Sequence, residues 1–246
     1  MNYIIIDLEF NQAFPFDKKN KIPNPQCKFE IIQIGAIKYN NKFEYIDELS
    51  LFIKPQIYKK LHPYVKKITH FTDETFKDSR SFQEIFPEFL DFVDDESILC
   101  VWGKNDVKLL FNNAEFYDID INLLPTNYID VQSLISKNLK LPKGQVIGLE
   151  NAIRELNINI DNSFHNALND AKYTGKLLKS LSKQPLNHNT YNPHKKQKVT
   201  NKTVDLGSLY KYAEKEFGKP LGKKTQKVIK NIYFLGMNKY FNKKND

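Results

Sequence analysis

Tyr3-Ile4-Ile5-Ile6-Asp7-Leu8-Glu9 is the stretch on which the fold turns. Four apolar residues, three of them β-branched, run without interruption into two carboxylates. A run this short and this β-branched predicts a buried central strand rather than a helix. Asp7 and Glu9 are two apart, so on a strand their side chains share one face. Carboxylates held side by side repel unless a proton or a cation sits between them. Oxygen ligands without thiolates or several imidazoles favour Mg²⁺ or Mn²⁺ over zinc. The same pair also fits a strand end running out into solvent, where acids are ordinary.

Outward from this strand, residues 11–28 are polar with Pro15, Pro23 and Pro25, and read as a loop. Glu30–Tyr39 and Tyr45–Lys54 have strand character and are joined by Asn40-Asn41-Lys42, which predicts a hairpin or meander. Ser81-Phe82-Gln83-Glu84 matches a capping box, and Phe82, Ile85, Phe86, Phe89 and Phe92 follow at helical spacing. Ile98–Trp102 predicts a fourth strand, followed by a helix through Val107, Leu110, Ala114 and Tyr117. Tyr128–Leu134 predicts a fifth short strand, with helices at Leu149–Leu156 and Ala167–Leu181. Three meandering strands followed by strand–helix alternation imply an α/β fold, a mixed β-sheet flanked by helices.

The 246 residues suit one full α/β domain with a smaller appendage. Hydrophobic content of 41% and aromatic content of 13% argue for a folded chain. The charge divides unevenly. Residues 185–246 carry 14 Lys+Arg against 4 Asp+Glu, whereas residues 1–184 carry 23 against 25. The expected organisation is a body at 1–184, a linker at 185–203 rich in Asn, His, Lys and Pro, and a basic, aromatic-containing segment at 204–246. A basic segment favours a polyanionic partner, most often nucleic acid, and equally fits a solubilising tail. Cys27 and Cys100 form no CxxC pair, which argues against a disulfide framework or a thiolate zinc site. No basic-plus-apolar leader is present and no apolar run reaches the about 20 residues of a membrane span, so the expected location is cytoplasmic, with no membrane partner.

Two further clusters carry chemistry. Asp106 lies after Trp102-Gly103 at the start of a predicted helix, a position that also suits a simple helix cap. His165-Asn166-Ala167-Leu168-Asn169-Asp170 leads into the last helix of the body. Asp170 sits one turn inside that helix, and His165 belongs to the loop feeding it. An imidazole there could take a proton from water near neutral pH; alone, each residue also fits an exposed loop or a solvated helix face. Together, four carboxylates and one imidazole beside one α/β core are what a pair of divalent cations and a water nucleophile need to cut a phosphodiester.

The order Asp-x-Glu, then Asp, then His-x4-Asp resembles the DEDDh branch of the DnaQ-like 3′–5′ exonucleases, which have a ribonuclease-H-like fold. Other stretches match the family as well. EIIQIGAIKY (30–39) is similar to its second strand, ITHFTDE (68–74) to its Ile-Thr-Gly-Ile-Thr loop, and WGKND (102–106) to the neighbourhood of its second motif. GLENAIRELNI (148–158) followed by HNALNDAKYTGKLL (165–178) is similar to its third motif. The likeness spans residues 3–182 and is nearest to the histone-mRNA and small-RNA-trimming exonucleases and the KapD-like sporulation inhibitor proteins. His70 stands where the family usually has glycine, and Asn166 and Asn169 stand where relatives often carry Arg and Asp.

The resemblance implies that Asp7, Glu9, Asp106 and Asp170 hold two Mg²⁺ or Mn²⁺ ions bridged by the scissile phosphate. It implies that His165 is the general base and that the products are nucleoside 5′-monophosphates. By the same carry-over, the backbone around Leu8–Phe10 meets the 3′-terminal nucleotide and Phe71 is a wedge against the terminal base, a position that equally fits a core aromatic. His70, a departure from the family, either alters the turn of its loop or adds a phosphate contact. The implied partner is nucleic acid with a free 3′ end, RNA favoured over single-stranded DNA. The basic C-terminal segment, with Lys interleaved by Tyr and Phe, suits electrostatic tethering, and a protein partner is a further candidate for it. Two alternatives stand beside this reading: a DNA proofreading or repair exonuclease, and a regulatory binding protein that uses the exonuclease fold. The complete acidic set argues against the second.

Overall fold

The computed structural model describes residues 1–13, 24, 26–94, 96–182, 184–194 and 206–237. Most of the polar loop expected at 11–28, the stretch 195–205, and Tyr240 and Phe241 of the tail lie outside the described residues. The chain divides into two compact units, Met1–His194 and Lys195–Asp246.

In the first unit, β1 (Tyr3–Gln12), β2 (Phe29–Tyr39) and β3 (Tyr45–Phe52) form an antiparallel meander. β4 (Ile98–Val101) then pairs parallel with β1, and β5 (Asn127–Asp130) pairs parallel with β4. Asn189–Thr190, within the stretch read as linker, pairs antiparallel with β5 as β6, so the sheet order is β3-β2-β1-β4-β5-β6. The helices of this unit are α1 (Pro63–Thr69), α2 (Phe82–Phe92), α3 (Asn105–Phe116), α4 (Val131–Asn138), α5 (Leu149–Glu155) and α6 (Ala167–Ser180).

Alternation along β1 sorts its residues to two cores. Ile4, Ile6 and Leu8 pack with Phe82, Phe86 and Phe89 of α2 and Val107 and Leu110 of α3. Tyr3 and Ile5 pack on the opposite face with Ala152 and Ile153 of α5 and Ala171, Leu177 and Leu178 of α6. Burial on both faces is what permits the unbroken apolar run at residues 3–6. The capping box at α2 forms as the sequence predicts, with Ser81 and Glu84 satisfying each other's backbone N–H groups.

Two local expectations are corrected, and one helix went unforeseen. β1 continues through Gln12, because Asn11 and Gln12 pair with Glu30 and Phe29. The strand expected at Tyr128–Leu134 stops at Asp130. The Asp130 carboxylate accepts from the Ser133 N–H and starts α4, so a side-chain cap overrides the apolar pattern of Val131 and Leu134. The sequence pattern also gave no sign of α1, which begins at Pro63 after a cap at His62. Among the described residues, no helix is long and apolar enough to cross a membrane.

Candidate active site

The site lies where β1 outruns its neighbour. β4 ends at Val101, opposite Ile6, so from Asp7 onward β1 pairs with β2 on one side and has no β4 partner on the other. Asp7 and Glu9 fall on the same face of β1 as Tyr3 and Ile5, the face that packs on α6. The pair therefore points at the beginning of α6 and not into solvent.

Two residues of β2 dock α6 there. Gly35 pairs with Asp7, and a Cβ at Gly35 would overlap the backbone of Ala167 and Leu168. The first turn of α6 thus rests directly on the sheet. Gln33 pairs with Glu9 and is fully buried; its Oε1 accepts from the Ala167 N–H at 3.0 Å, and its Nε2 donates to Ser50 Oγ at 3.3 Å. It thereby satisfies one of the donors that a helix N-terminus leaves without a partner. Asn166 caps the same turn by accepting from Asn169 N–H. Neither Gly35 nor Gln33 was picked out as a site residue by the sequence pattern, although both lie inside EIIQIGAIKY. A glycine in the middle of a buried strand was the available signal, since glycine there often marks a close backbone approach. Gln33→Leu should cost about 1–3 kcal/mol by leaving the Ala167 N–H buried and unmet. Urea unfolding measures this, and a stability equal to wild type would refute the assigned role.

Asp170, in the first turn of α6, accepts the His165 N–H at Oδ2 (3.1 Å), while its buried Oδ1 has no hydrogen-bond partner. His165 is exposed and takes a left-handed backbone, φ 62°, a conformation uncommon for a residue with a Cβ. Ligand atoms of Glu9, His165 and Asp170 lie within 4.8 Å of one another. Asp106 reaches the site from α3. It is not the helix cap that its position suggests: Lys104 holds the cap position and Asp106 lies in the first turn.

Burial acts on each carboxylate, and at Asp7, Glu9 and Asp106 the charges of other acids act with it. Burial, then the charges of Asp106, Asp170 and Glu9, holds Asp7 well above the usual carboxylate range. Burial, then Asp170 and Asp106, pushes Glu9 up to about 8. Burial, then Asp130, raises Asp106 to about 7. Burial raises Asp170 to about 6 against the lowering effect of the His165 N–H. Four carboxylates that each resist ionising, a buried oxygen without a donor, and an imidazole among them make a site that fits divalent cations held by oxygen ligands.

The remaining candidates are more scattered. Leu8 packs into the core, which leaves only its backbone for a ligand, and Phe10 is half-buried. His70 is exposed at the C-terminus of α1, where it adopts φ 60° and its N–H bonds the Lys66 carbonyl. This is the left-handed cap that glycine occupies most easily, which accounts for glycine being usual there. Phe71 is buried in a separate cluster with Ile32, Leu61, Val65 and Phe76, edge-on to Phe52 and Phe76 at 5.4 and 5.7 Å. In this structure it is a core aromatic.

The family model described as Exonuclease (RNase_T) matches residues 4–178. The chain is 26% identical over 212 residues to the PolC-type DNA polymerase III of Thermotoga maritima, covering 86% of this chain and 14% of that protein. It is 29% identical over 147 residues to the DNA polymerase III subunit epsilon of Haemophilus influenzae, covering 58% of this chain and 54% of that one. The chain thus spans a minor part of the first relative and about half of the second. Among solved structures, the nuclease domain of 3′hExo, a DEDDh family member bound to rAMP, is similar with a TM-score of 0.64 at 19% identity, covering 78% of this chain and 97% of that one. Cell-death related nuclease 4 (CRN-4) is similar with a TM-score of 0.61 at 13% identity, covering 77% and 66%. These structures share the mixed sheet flanked by helices.

Proposed function

Because the chain belongs to the RNase_T family of exonucleases, we propose that it hydrolyses phosphodiester bonds from free 3′ ends of RNA, releasing nucleoside 5′-monophosphates with the help of two Mg²⁺ or Mn²⁺ ions. The observation that carries this reading is the meeting of Asp7, Glu9, Asp106, His165 and Asp170 at the open end of β1. Asp7, Glu9, Asp106 and Asp170 are the residues that would hold the cations. Bound there, divalent ions supply a lowered pKa for water and charge neutralisation at the phosphate.

The chain's own groups do the rest. His165 is exposed beside the acids, so its imidazole can accept a proton from the attacking water without a buried charge being formed. The Asp170 carboxylate, by accepting the His165 N–H, fixes the backbone that carries this imidazole. The unpaired flank of β1 beyond Asp7 leaves backbone N–H and C=O groups at Leu8–Phe10 for the terminal nucleotide.

RNA is favoured by the resemblance of the motif stretches to histone-mRNA and small-RNA exonucleases. A DNA substrate is the second reading, favoured by the sequence likeness to DNA polymerase III proteins. A panel of 3′-labelled RNA and DNA, single- and double-stranded, with Mg²⁺ or Mn²⁺, separates them. The expected result is 5′-mononucleotide release, fastest on single-stranded RNA, with kcat reduced about 10²–10⁴-fold in His165→Ala at little cost in KM. Faster release from DNA transfers the assignment to the second reading, and no release from any substrate ends both.

A further inference from the structure

The described residues of the second unit form two helices whose surface charge the site on β1 does not explain. These are α7 (Leu206–Phe217) and α8 (Lys223–Met237), and the turn between them is built from side chains. Glu214 Oε1 accepts from Leu221 N–H at 2.9 Å, Gln226 Nε2 donates to the Leu221 carbonyl at 3.2 Å, and Leu221 itself is buried. Gly218 ends α7 with φ 64°. Glu214 is thereby spent on the turn, and between Glu216 and Asp246 the chain has eight lysines and no acid.

The lysines of α8 are ordered. Lys223, Lys227 and Lys230 recur at i, i+4 and i+7 and form one row along roughly 10 Å of helix at 1.5 Å per residue. Lys224, Val228 and Ile232 form the adjacent row at i, i+4 and i+8. All four lysines are exposed and, among the described residues, none forms an ion pair. Val228 and Ile232 are 49% and 52% exposed. The inner side of the helix is different: Gln226 and Ile229 are half-buried.

We propose that this face of α8 binds the single-stranded nucleic acid that the chain processes, the lysine row meeting backbone phosphates and the Val228–Ile232 edge meeting bases. The inference rests on the nuclease reading for the identity of the strand. A surface with this charge gains its binding free energy largely from counterion release, which is independent of base sequence. An anionic lipid surface is the competing occupant of such a basic helix, and it is disfavoured because the nuclease reading itself supplies a polyanionic strand. Attachment of a second binding surface to the same chain raises the local concentration of the strand.

The test uses the full chain and a fluorescein-labelled 30-nucleotide oligouridylate, with EDTA present so that binding is measured without cleavage. Lys223→Gln/Lys227→Gln/Lys230→Gln should weaken binding more than 10-fold at low salt and reduce the slope of log affinity against log salt by about 2, at 0.7 per phosphate contact. The corresponding triple Arg variant should bind as wild type, which separates loss of charge from misfolding. Hydrolysis of a dinucleotide should be unchanged in the Gln variant. An unchanged affinity and slope in the Gln variant overturns the proposal. So does wild-type binding to phosphatidylserine vesicles without binding to the oligouridylate. Salt-sensitive binding by a wild type that releases no mononucleotide with Mg²⁺ or Mn²⁺ would instead sink the nuclease reading and leave the surface standing.

Discussion

Asp7→Asn is expected to lower cation-dependent nucleotide release by at least on the order of 10³-fold while making the cation-free protein more stable. The two effects have one origin. Asp7 shares buried space with Glu9, Asp106 and Asp170, and burial together with their charges raises its affinity for a proton. On the proposed function, removing that charge takes away one of the ligands for the divalent ions that would stabilise the transition state. It also takes away repulsion from the three remaining acids.

The pH dependence follows with a definite sign. Unfolded carboxyl groups titrate near about 4. In the folded protein Asp170, Asp106 and Glu9 are pushed up to about 6, about 7 and about 8. Between pH 4 and 8 the folded state therefore binds more protons than the unfolded state, so stability falls as pH rises through this window. Without cations, wild type should melt lower at pH 8 than at pH 5.5. Mg²⁺ should raise Tm more at pH 8 than at pH 5.5, since bound cations replace the protons. Asp7→Asn should flatten both dependences and raise the cation-free Tm at pH 8 by a few degrees. Scanning calorimetry at the two pH values, with EDTA or Mg²⁺, decides this. Activity retained in Asp7→Asn, or a wild-type Tm indifferent to cation, would show that the cluster does not bind metal.

Gly35→Ala is expected to be the most damaging change that touches no charged group. Its Cβ would overlap the backbone of Ala167 and Leu168, and neither a helix backbone nor a central strand can yield as a flexible side chain would. The added methyl should cost about 3 kcal/mol, at the upper end for overpacking. In the protein that still folds, α6 must lift from the sheet and carry Asp170 and the His165 loop away from Asp7 and Glu9. A displacement of about 1 Å at reacting groups is worth on the order of 10²-fold in rate. Urea denaturation and steady-state hydrolysis on the same preparation test both parts. Wild-type stability together with wild-type rate would mean that α6 is not seated through this contact.

Much of this site was legible before any coordinates. The apolar run of Tyr3–Ile6 announced a strand buried on both faces, and period-two geometry put Asp7 and Glu9 side by side. The capping box at Ser81 and Glu84 formed because its partners are three residues apart, so local sequence suffices. Elsewhere the apolar pattern misled or left the outcome open. Leu134 looked like the end of a strand, yet the Asp130 side chain turns the chain into α4. Phe71, which the sequence left between a base wedge and a core aromatic, packs with Phe52 and Phe76 in a cluster that no local pattern reveals.

The sequence alone nominated the groups that would carry the chemistry and gave their order along the chain, because acidity, hydrogen-bonding capacity and side-chain direction on a strand are local properties. Only the tertiary structure decided that those groups meet. Asp7 and Asp170 are brought together by Gly35, which lets a helix lie against the sheet, and by Gln33, which holds that helix's first N–H. The shared burial that raises all four acids exists only once β1, α3 and α6 converge, since desolvation and mutual repulsion depend on distance in space and not on distance along the chain.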